Sequence, residues 1–232
     1  MSDQSPAERA KRAASLRALD FVEDGMKLGL GTGSTAKWFV DLLGQSDKRI
    51  TGVPTSSRTW AQAEGLGIPL ATLDEAGWLD LTVDGADEFD GAMNLIKGGG
   101  GALLQEKIVA SASDAMVVIA DPSKEVATLG AYDLPVEIVR FGWATTTRML
   151  SACLEDQDVD SRTWTLRGGE APYVTDEGHY ILDLQLGRIG DVAKLNRDLN
   201  LIPGVVETGL FCDIATTVIV GHVDGTARII NG

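Results

Sequence analysis

The sequence predicts an α/β fold in which a doubly wound, mostly parallel sheet carries a smaller, inserted α+β domain. Two patterns support this prediction. Up to residue 121, short apolar segments typical of strands alternate with helical segments, which is the order found in parallel sheets. From about residue 131 the order becomes strand, helix, strand, strand, helix, strand, as in ferredoxin-like domains. We therefore expect a Rossmann-like main domain at 1–130 plus 207–232, and a small domain at 131–206.

Length and composition indicate a globular chain with a sizeable core. The 232 residues are 44% hydrophobic, which suffices for one domain or for one domain with a small companion. The chain contains no run of about 18 apolar residues, and its N-terminal segment has no continuous apolar stretch. We therefore expect neither a membrane span nor secretion, and a cytoplasmic location is the default.

Charge and cysteine usage exclude several classes of function. The formal net charge is -14, and the Lys and Arg residues do not cluster as they do on surfaces that bind phosphate backbones, so we expect no nucleic-acid partner. Cys153 and Cys212 stand apart in apolar surroundings and match no metal or redox spacing. We interpret both as buried thiols in a reducing compartment.

The first predicted helix begins with a capping sequence. In "SPAE", Ser5 can cap the helix, Pro6 suits its first position, and Glu8 lies at the third position, as in a capping box. Gly25 is expected to end this segment.

The remaining elements follow from periodicity and turn residues. In the main domain we expect a strand at 26–31, a helix at 34–43 stopped by Gly44, a strand and a helix from "RITGVPTSS" to Gly65, a short strand in "IPLATL", an alternating strand in "WLDLTVDGADE" and a covered strand in "AMVVIAD". In the small domain we expect strands in "LPVEIVRFG", "RTWTLR" and "HYILDLQL" and near Gly204, with helices near 143–155 and 191–200. Strands in the C-terminal segment are expected to rejoin the first sheet.

The stretch "GLGTGSTA" forms a glycine-rich turn between a strand and a helix. Such a turn presents N–H groups and the positive end of a helix to an anion, and the hydroxyls of Thr32, Ser34 and Thr35 beside Gly33 add donors, so we expect a phosphate group here. Two alternatives remain. The stretch formally matches the dinucleotide pattern G-x-G-x-x-A, although the next strand ends in "GVPTSS" without an acid to hold a ribose; a purely structural turn with ordinary caps is the other.

The stretch "DGADEFDG" places carboxylates at the carboxyl end of a strand. Asp84 ends the strand and Asp87 lies just past the turn, where open parallel sheets bind ligands. Both suit hydrogen bonding to sugar hydroxyls or handling of their protons. The spacing of Asp84, Asp87 and Asp90 does not match a calcium loop. A solvated acidic turn is the alternative, and it is the interpretation we favour for Glu88 and Asp90.

In "KGGGGALLQEK", residues 97–107, four glycines separate a lysine from the start of a helix. Glycines let backbone N–H groups approach a ligand closely, and Lys97 offers a mobile positive charge. Glu106 shares a helical face with small apolar residues, away from the exposed stripe of Gln105, and partial burial suits a general base. The alternative is a surface glutamate paired with a neighbour such as Lys107.

The other candidate residues carry weaker signals. Lys124 in "ADPSK" follows a buried strand at the edge where the other motifs lie, although such lysines usually face solvent. Lys11 on the first helix is weaker still. His179 and His222 stand alone, so neither a histidine metal site nor a Ser-His-Asp arrangement is supported.

Together these motifs supply an anion cradle, carboxylates, a cation and a glutamate at four strand ends, which indicates a site for a phosphorylated sugar. The stretches "GLGTGSTA", "GVPTSSRT", "DGADEFD", "KGGGGALLQEK", "ADPSK" and "IPGVVETGLF" resemble, in order and approximate spacing, those of type A ribose-5-phosphate isomerases. The resemblance spans nearly the whole chain, and several motifs are highly specific in combination.

The resemblance implies interconversion of ribose 5-phosphate and ribulose 5-phosphate through a cis-enediol(ate), in the non-oxidative pentose phosphate pathway. It also implies no metal or organic cofactor, and a homodimer or a dimer of dimers. Glu106 matches the family's proton acceptor, while Asp84 and Asp87 would bind hydroxyls and assist ring opening or proton movement, and Lys97 would stabilise charge on oxygen. The implied substrate-binding residues are Thr32, Gly33, Ser34, Thr35, Asp84, Gly85, Ala86, Asp87, Lys97, Gly98, Gly99, Gly100, Lys124 and, more weakly, Lys11.

The sequence departs from the family's pattern at few positions. Gln105 replaces a residue that is often basic, which bears on the electrostatics of the loop. Glu177 and His179 stand where asparagines are common, and their place in the small domain bears on subunit contacts more than on chemistry.

Other functions on related folds remain as alternatives. A non-catalytic sugar-phosphate sensor would normally carry a DNA-binding segment ahead of the sheet, and only about 25 residues precede the first predicted strand. The presence of Glu106 also argues against such a sensor. An amino-sugar phosphate deaminase or an acyl-CoA transferase would predict other sets of motifs.

Overall fold

The computed structural model describes residues 5–232, which form two compact units. The first unit comprises the chain up to Ala86, together with Gln105–Glu125 and Asp213–Gly232. The second unit comprises Asp87–Leu104 and Val126–Cys212.

Within residues 5–232 the chain forms seven α-helices and thirteen strands. The helices are α1 (Pro6–Ala18), α2 (Ser34–Gly44), α3 (Ser57–Gly65), α4 (Leu73–Ala76), α5 (Leu103–Ser111), α6 (Trp143–Leu154) and α7 (Val192–Asn200). The strands are β1 (Lys27–Leu30), β2 (Thr51–Pro54), β3 (Leu81–Gly85), β4 (Glu88–Phe89), β5 (Leu95–Ile96), β6 (Met116–Ala120), β7 (Leu134–Ile138), β8 (Thr163–Leu166), β9 (Tyr180–Gln185), β10 (Val205–Thr208), β11 (Leu210–Phe211), β12 (Thr217–Gly221) and β13 (Ala227–Asn231). No helix in this part of the chain is long and apolar enough to cross a membrane.

The first unit is built on a six-stranded sheet with the order β13-β12-β6-β3-β1-β2. Its neighbouring strands run parallel, except for the antiparallel pair of β12 and β13. Side chains of α1, α2 and α3 pack against β1, β3 and β6 in one apolar cluster, and Val109 of α5 packs with Val53 and Leu79 in another. The doubly wound, mostly parallel sheet predicted from the alternating pattern is confirmed, as is the return of the C-terminal strands to it.

The second unit contains a four-stranded antiparallel sheet with the order β10-β7-β9-β8. Its apolar cluster joins Leu150 of α6 and Leu195 of α7 to Val136 of β7 and Leu182 of β9. The predicted order of strand, helix, strand, strand, helix, strand is therefore confirmed.

The unit boundaries differ from the predicted ones at 131 and 206. Residues 87–104, 126–130 and 207–212 belong to the second unit instead of the main domain. The reason is a separate three-stranded sheet, β11-β5-β4, within the second unit. Its strands have two residues each, too few to produce a periodic signal.

Several local predictions need correction. "IPLATL" is not a strand, because only Leu70 bridges to Gly52, and Thr72 then caps α4 in a capping box with Glu75. Cys153 and Cys212 are half-buried, not fully buried.

The acidic residues after β3 behave differently from a solvated turn. Glu88 is buried, and its carboxylate accepts the N–H groups of Gly130 at 2.8 Å and Tyr132 at 2.6 Å. Asp90 accepts the N–H groups of Ala92 and Asn94, both at 2.9 Å. The solvated interpretation is therefore wrong for Glu88, which closes a long-range loop that no local pattern reveals.

Candidate active site

The predicted motifs of the first unit lie at one edge of its sheet. Residues 31–35 follow β1, Thr55 and Ser56 follow β2, Asp84 is near the end of β3, and Lys124 follows β6. Because these four strands run parallel, their carboxyl ends meet at the same edge, where open α/β sheets bind ligands.

The turn after β1 leads into the N-terminus of α2. Gly33 precedes the helix with φ of 129°, and no side chain caps it. The first helical hydrogen bond runs from the N–H of Lys37 to the carbonyl of Gly33 at 2.9 Å. The N–H groups of Ser34 and Thr35 therefore have no acceptor within the helix, which is the arrangement that receives an anion.

Asp84 is tied to this turn. Its side chain is fully buried, and Oδ1 accepts the N–H of Thr32 at 3.1 Å and that of Gly85 at 2.7 Å. A β-carbon on Gly31 would lie 2.6 Å from Cα of Asp84. The structure thus brings together two motifs that the sequence analysis treats separately, and it shows that Gly31 is required for this close approach.

A cluster of four buried hydroxyl groups joins the turns after β1 and β2. Oγ1 of Thr32 lies 2.8 Å from Oγ1 of Thr55, 2.7 Å from Oγ of Ser56 and 3.0 Å from Oγ1 of Thr59. Three neighbours match the one donor and two acceptor positions of a hydroxyl, so the Thr32 side chain links the two turns. The sequence analysis missed Thr55, Ser56 and Thr59 as contributors; the available signal was the hydroxyl run "TSS" directly after a strand.

Glu106 lies in the first turn of α5 and is buried, with 2% of its surface exposed. Val109 and Ala110 on the same helix are also buried. The predicted apolar face is thereby confirmed, and the surface alternative for Glu106 is wrong. Gln105 is half-buried, so the predicted exposed stripe is narrower than expected.

In the second unit, Asp87 contacts the glycine loop, defined here as residues 98–101. Oδ2 of Asp87 accepts the N–H of Gly99 at 2.8 Å. Gly98 and Gly101 adopt φ of 104° and 82°, a conformation that disfavours side chains. The positive φ angles of Gly98 and Gly101 confirm that the run uses the conformational freedom of glycine, whereas close approach of its N–H groups to a ligand stays a prediction.

Lys97 is held more firmly than a mobile charge would be. Its side chain is buried, with 2% of its surface exposed, and Nζ lies 5.4 Å from the ring centroid of Phe211. Its N–H donates to the carbonyl of Gly209 at 2.9 Å. The expectation of a mobile cation is wrong, because an aromatic face and a buried setting fix the ammonium group.

The weaker lysine candidates are placed as follows. Lys124 is half-buried in a 3-10 turn that Asp121 caps. Nζ of Lys11 lies 3.0 Å from Oε1 of Glu8 on the same face of α1. One turn later, Ser15 donates its hydroxyl to the carbonyl of Thr35 at 3.2 Å, so α1 contacts the start of α2. Gly85 and Ala86 follow Asp84 at the sheet edge.

Comparison with known proteins connects this geometry to a family. The model of the family described as ribose 5-phosphate isomerase A (phosphoriboisomerase A) matches residues 51–225. The chain belongs to this family. Two curated relatives called ribose-5-phosphate isomerase A, from Ruegeria pomeroyi and Cereibacter sphaeroides, are 60% identical over 230 residues and 61% identical over 233 residues. These alignments cover 97% and 98% of this chain, and 88% and 89% of the relatives.

Solved structures of ribose-5-phosphate isomerases share the whole fold. The enzyme from Neisseria gonorrhoeae has a TM-score of 0.90 at 38% identity, with 99% of each chain covered. The enzyme from Plasmodium falciparum has a TM-score of 0.90 at 33% identity, covering 97% of this chain and 99% of its own. A third structure, in complex with phospho-erythronic acid, has a TM-score of 0.89 at 37% identity, covering 98% and 100%.

Proposed function

We propose that this chain interconverts D-ribose 5-phosphate and D-ribulose 5-phosphate, with Glu106 as the proton acceptor. Membership of the ribose 5-phosphate isomerase A family supports the reaction. The observation that carries the role of Glu106 is its burial in the first turn of α5, where a carboxylate is shielded from water.

The proposed chemistry needs one base. Glu106 removes the proton from C2, the carbon next to the aldehyde, and a cis-enediol(ate) forms. The same carboxyl group returns a proton to C1, the former carbonyl carbon, while the hydroxyl proton passes from O2 to O1, the transfer that Asp84 or Asp87 would assist. The reverse sequence converts ketose to aldose, so one group completes the cycle without any redox partner.

The other predicted residues receive roles that fit their surroundings. The N–H groups at the start of α2, those of the N-cap Gly33 and of Ser34 and Thr35, suit the phosphate. Asp84 is a buried acceptor for hydroxyl protons or N–H groups. For Asp87, Lys97, Gly98 to Gly100, Lys124 and Lys11, the assignment to substrate binding rests on the family's motifs, and the complex of a related isomerase with phospho-erythronic acid supports a phosphorylated sugar as ligand.

The proposal also covers cofactor use, oligomeric state and cellular location. The reaction as written needs no metal and no organic cofactor, because the proton moves between two carbons by way of a carboxylate. The family resemblance supports a homodimer or a dimer of dimers, and a cytoplasmic location stays the default expectation. Chelator treatment and light scattering test the first two points.

The central experiment follows ketose formation and deuterium uptake from heavy water, in the presence of chelator, for wild type and Glu106→Gln. Wild type is expected to be active, and the variant to lose at least about 10²-fold, the lower range for general acid–base catalysis. Glu64→Gln is a matched control, because Glu64 is an exposed glutamate on α3 of the same unit. Its activity should equal that of wild type.

Three outcomes would contradict the proposal. Full activity in Glu106→Gln would remove Glu106 from its role. An absolute need for a divalent cation would favour a hydride shift. Binding of ribose 5-phosphate without turnover in wild type would favour the sensor alternative.

A further inference from the structure

The guanidinium group of Arg167 lies against the glycine loop of the second unit. Nη1 donates to the carbonyl of Gly98 at 2.9 Å and to that of Gly99 at 3.4 Å. Nε donates to Oδ2 of Asp183 at 2.9 Å, and Nη2 donates to Oδ1. One side chain therefore connects a fork-shaped ion pair to two successive peptides of the loop.

The ion pair of Arg167 and Asp183 lies on the antiparallel sheet of the second unit. Arg167 follows β8, and its N–H donates to the carbonyl of Ile181 on β9 at 2.9 Å. Asp183 lies two residues further along β9, on the same face as Arg167. Both side chains are only 18% exposed. The guanidinium group is thus held by Asp183 on β9, and the backbone of Arg167 is hydrogen-bonded to the same strand.

The contacts clamp one peptide of the glycine loop from both edges. Arg167 holds the carbonyl of Gly98, while Asp87 accepts the N–H of Gly99 at 2.8 Å. In a planar trans peptide these two groups point in opposite directions, so the peptide plane cannot rotate without breaking one of the contacts. The next carbonyl, that of Gly99, also faces Arg167, and the N–H of Gly100 must therefore point away from it.

Arg167 differs from a phosphate-binding arginine because its positive charge is balanced by a carboxylate. Asp183 engages two nitrogen atoms of the guanidinium group and neutralises its charge. Arg167 thus contributes geometry to the loop and little net attraction for an anion.

A cavity beside the loop leaves room around the guanidinium group. Its volume is about 390 Å³, and it is lined by Gly99, Ala131, Tyr132, Asp133, Arg167 and Asp183. A small planar cation added from solution can enter a space of this size when the arginine side chain is removed.

We propose that Arg167, held by Asp183, is a positioning residue that sets the orientation of the peptides at Gly98 to Gly100. The inference rests on the proposed function, in which this loop contacts the reacting sugar. It assigns to the hairpin between β8 and β9 a task in the isomerase reaction that no sequence motif indicates.

The test compares Arg167→Ala with Arg188→Ala. Arg188 is a matched control, because it also forms an ion pair in the second unit, with Asp158, but it is more exposed, at 40%. Arg167→Ala is expected to lower kcat by about 10- to 100-fold with a change in KM of less than about threefold, since a small misplacement of catalytic groups has effects of this size. Added guanidinium ion at millimolar concentration should restore at least part of the lost kcat, and should not activate Glu106→Gln.

Unchanged kcat in Arg167→Ala, or a rise in KM alone, would overturn the inference. If Arg167→Ala does not fold, Asp183→Asn carries the test, because it keeps one acceptor but removes the charge, and its kcat should fall severalfold. Amide hydrogen exchange of residues 97–104 gives a readout that does not depend on turnover. Exchange should accelerate in Arg167→Ala and not in Arg188→Ala; equal exchange would sink the inference even if wild type proved inactive as an isomerase.

Discussion

The carboxylate of Asp84 occupies the space beside Gly31 in which any other residue would place its β-carbon. Such an atom would lie 2.6 Å from Cα of Asp84 and closer still to the carboxylate. Asp84 is buried on β3 and cannot swing into solvent, so the crowding would have to be relieved by moving β1 or β3.

Gly31→Ala is therefore expected to destabilise the chain and to impair activity together. Overpacking at a rigid contact costs about 1–3 kcal/mol or more. Urea unfolding and the rate of ribulose 5-phosphate formation would measure both effects. Gly65→Ala is the control, because nothing lies within 4 Å of its added carbon at the end of α3. A stable, fully active Gly31→Ala would show that the contact is not required.

The hydroxyl cluster predicts a difference between Thr59→Val and Thr59→Ser. Thr59 Oγ1 donates to the carbonyl of Gly31 at 3.1 Å and lies 3.0 Å from Oγ1 of Thr32. Valine has the same shape but no hydroxyl, and leaving buried polar groups unsatisfied costs about 1–3 kcal/mol. Chemical denaturation should show this loss for Thr59→Val and a smaller one for Thr59→Ser, which keeps the hydroxyl. A loss of stability in Thr59→Ser with none in Thr59→Val would mean that the methyl group, and not the hydrogen bonds, stabilises this cluster.

Glu137 predicts a pH dependence of stability. This buried residue of β7 has Oε1 2.9 Å from Oγ1 of Thr175 and 2.9 Å from Nδ1 of His179, while Oε2 has no hydrogen-bond partner within the described chain. Burial raises the pKa of Glu137 above its ordinary value of 4.5; hydrogen bonds from His179 and Thr175 oppose the rise, and the charge of Glu177 adds to it. The folded state thus holds the proton more tightly than the unfolded chain.

The sign of the effect follows from this preference. The stabilising contribution is fully present below pH 4.5 and is lost as pH rises through the folded pKa. Glu137→Gln, which cannot ionise, should lose less stability over the same range. Melting temperatures measured from pH 4 to pH 8 test this prediction. Parallel curves for wild type and Glu137→Gln would show that Glu137 does not cause the pH dependence of stability. His222→Gln is the control, because His222 lies in the first unit.

We expect a side chain at position 99 to crowd the glycine loop, and we expect Tyr132→Phe to relieve part of this crowding. A β-carbon on Gly99 would lie 2.9 Å from both carboxylate oxygens of Asp87 and closer still to the hydroxyl of Tyr132. Gly99→Ala should lower kcat by about 10-fold or more, since it displaces the clamped peptide. Gly99→Ala/Tyr132→Phe should recover part of this loss. No recovery would mean that Asp87 alone sets the limit.

Local signals predicted the elements that depend on neighbouring residues. Ser5 caps α1 by accepting the N–H of Glu8 at 3.3 Å, as "SPAE" indicates. The run "AMVVIAD" forms the fully buried β6, as a continuous apolar segment indicates. The burial of Glu106 followed from helical spacing alone, because the face of a helix is set by its own sequence.

Contacts between distant residues could not be predicted in this way. The glycine signal at Gly31 was visible, but its partner Asp84 lies 53 positions later. The bond from Arg167 to Gly98 spans 69 positions, and no motif surrounds Arg167. His179, noted only as a departure from the family, lies against Glu137 at a separation of 42 residues, while its expected effect on subunit contacts stays a prediction.

The parallel pairing of β12 with β6 has a consequence for synthesis on the ribosome. Val117 lies opposite Thr217, so the two partners are 100 positions apart, and the long segment Val126–Cys212 of the second unit is translated between them. At translation rates of about 5–20 residues per second, β12 is synthesised on the order of 5–20 s after β6. During that interval the edge of β6 that will pair with β12 is unpaired, and variants that slow translation across this segment should increase aggregation of newly made chains.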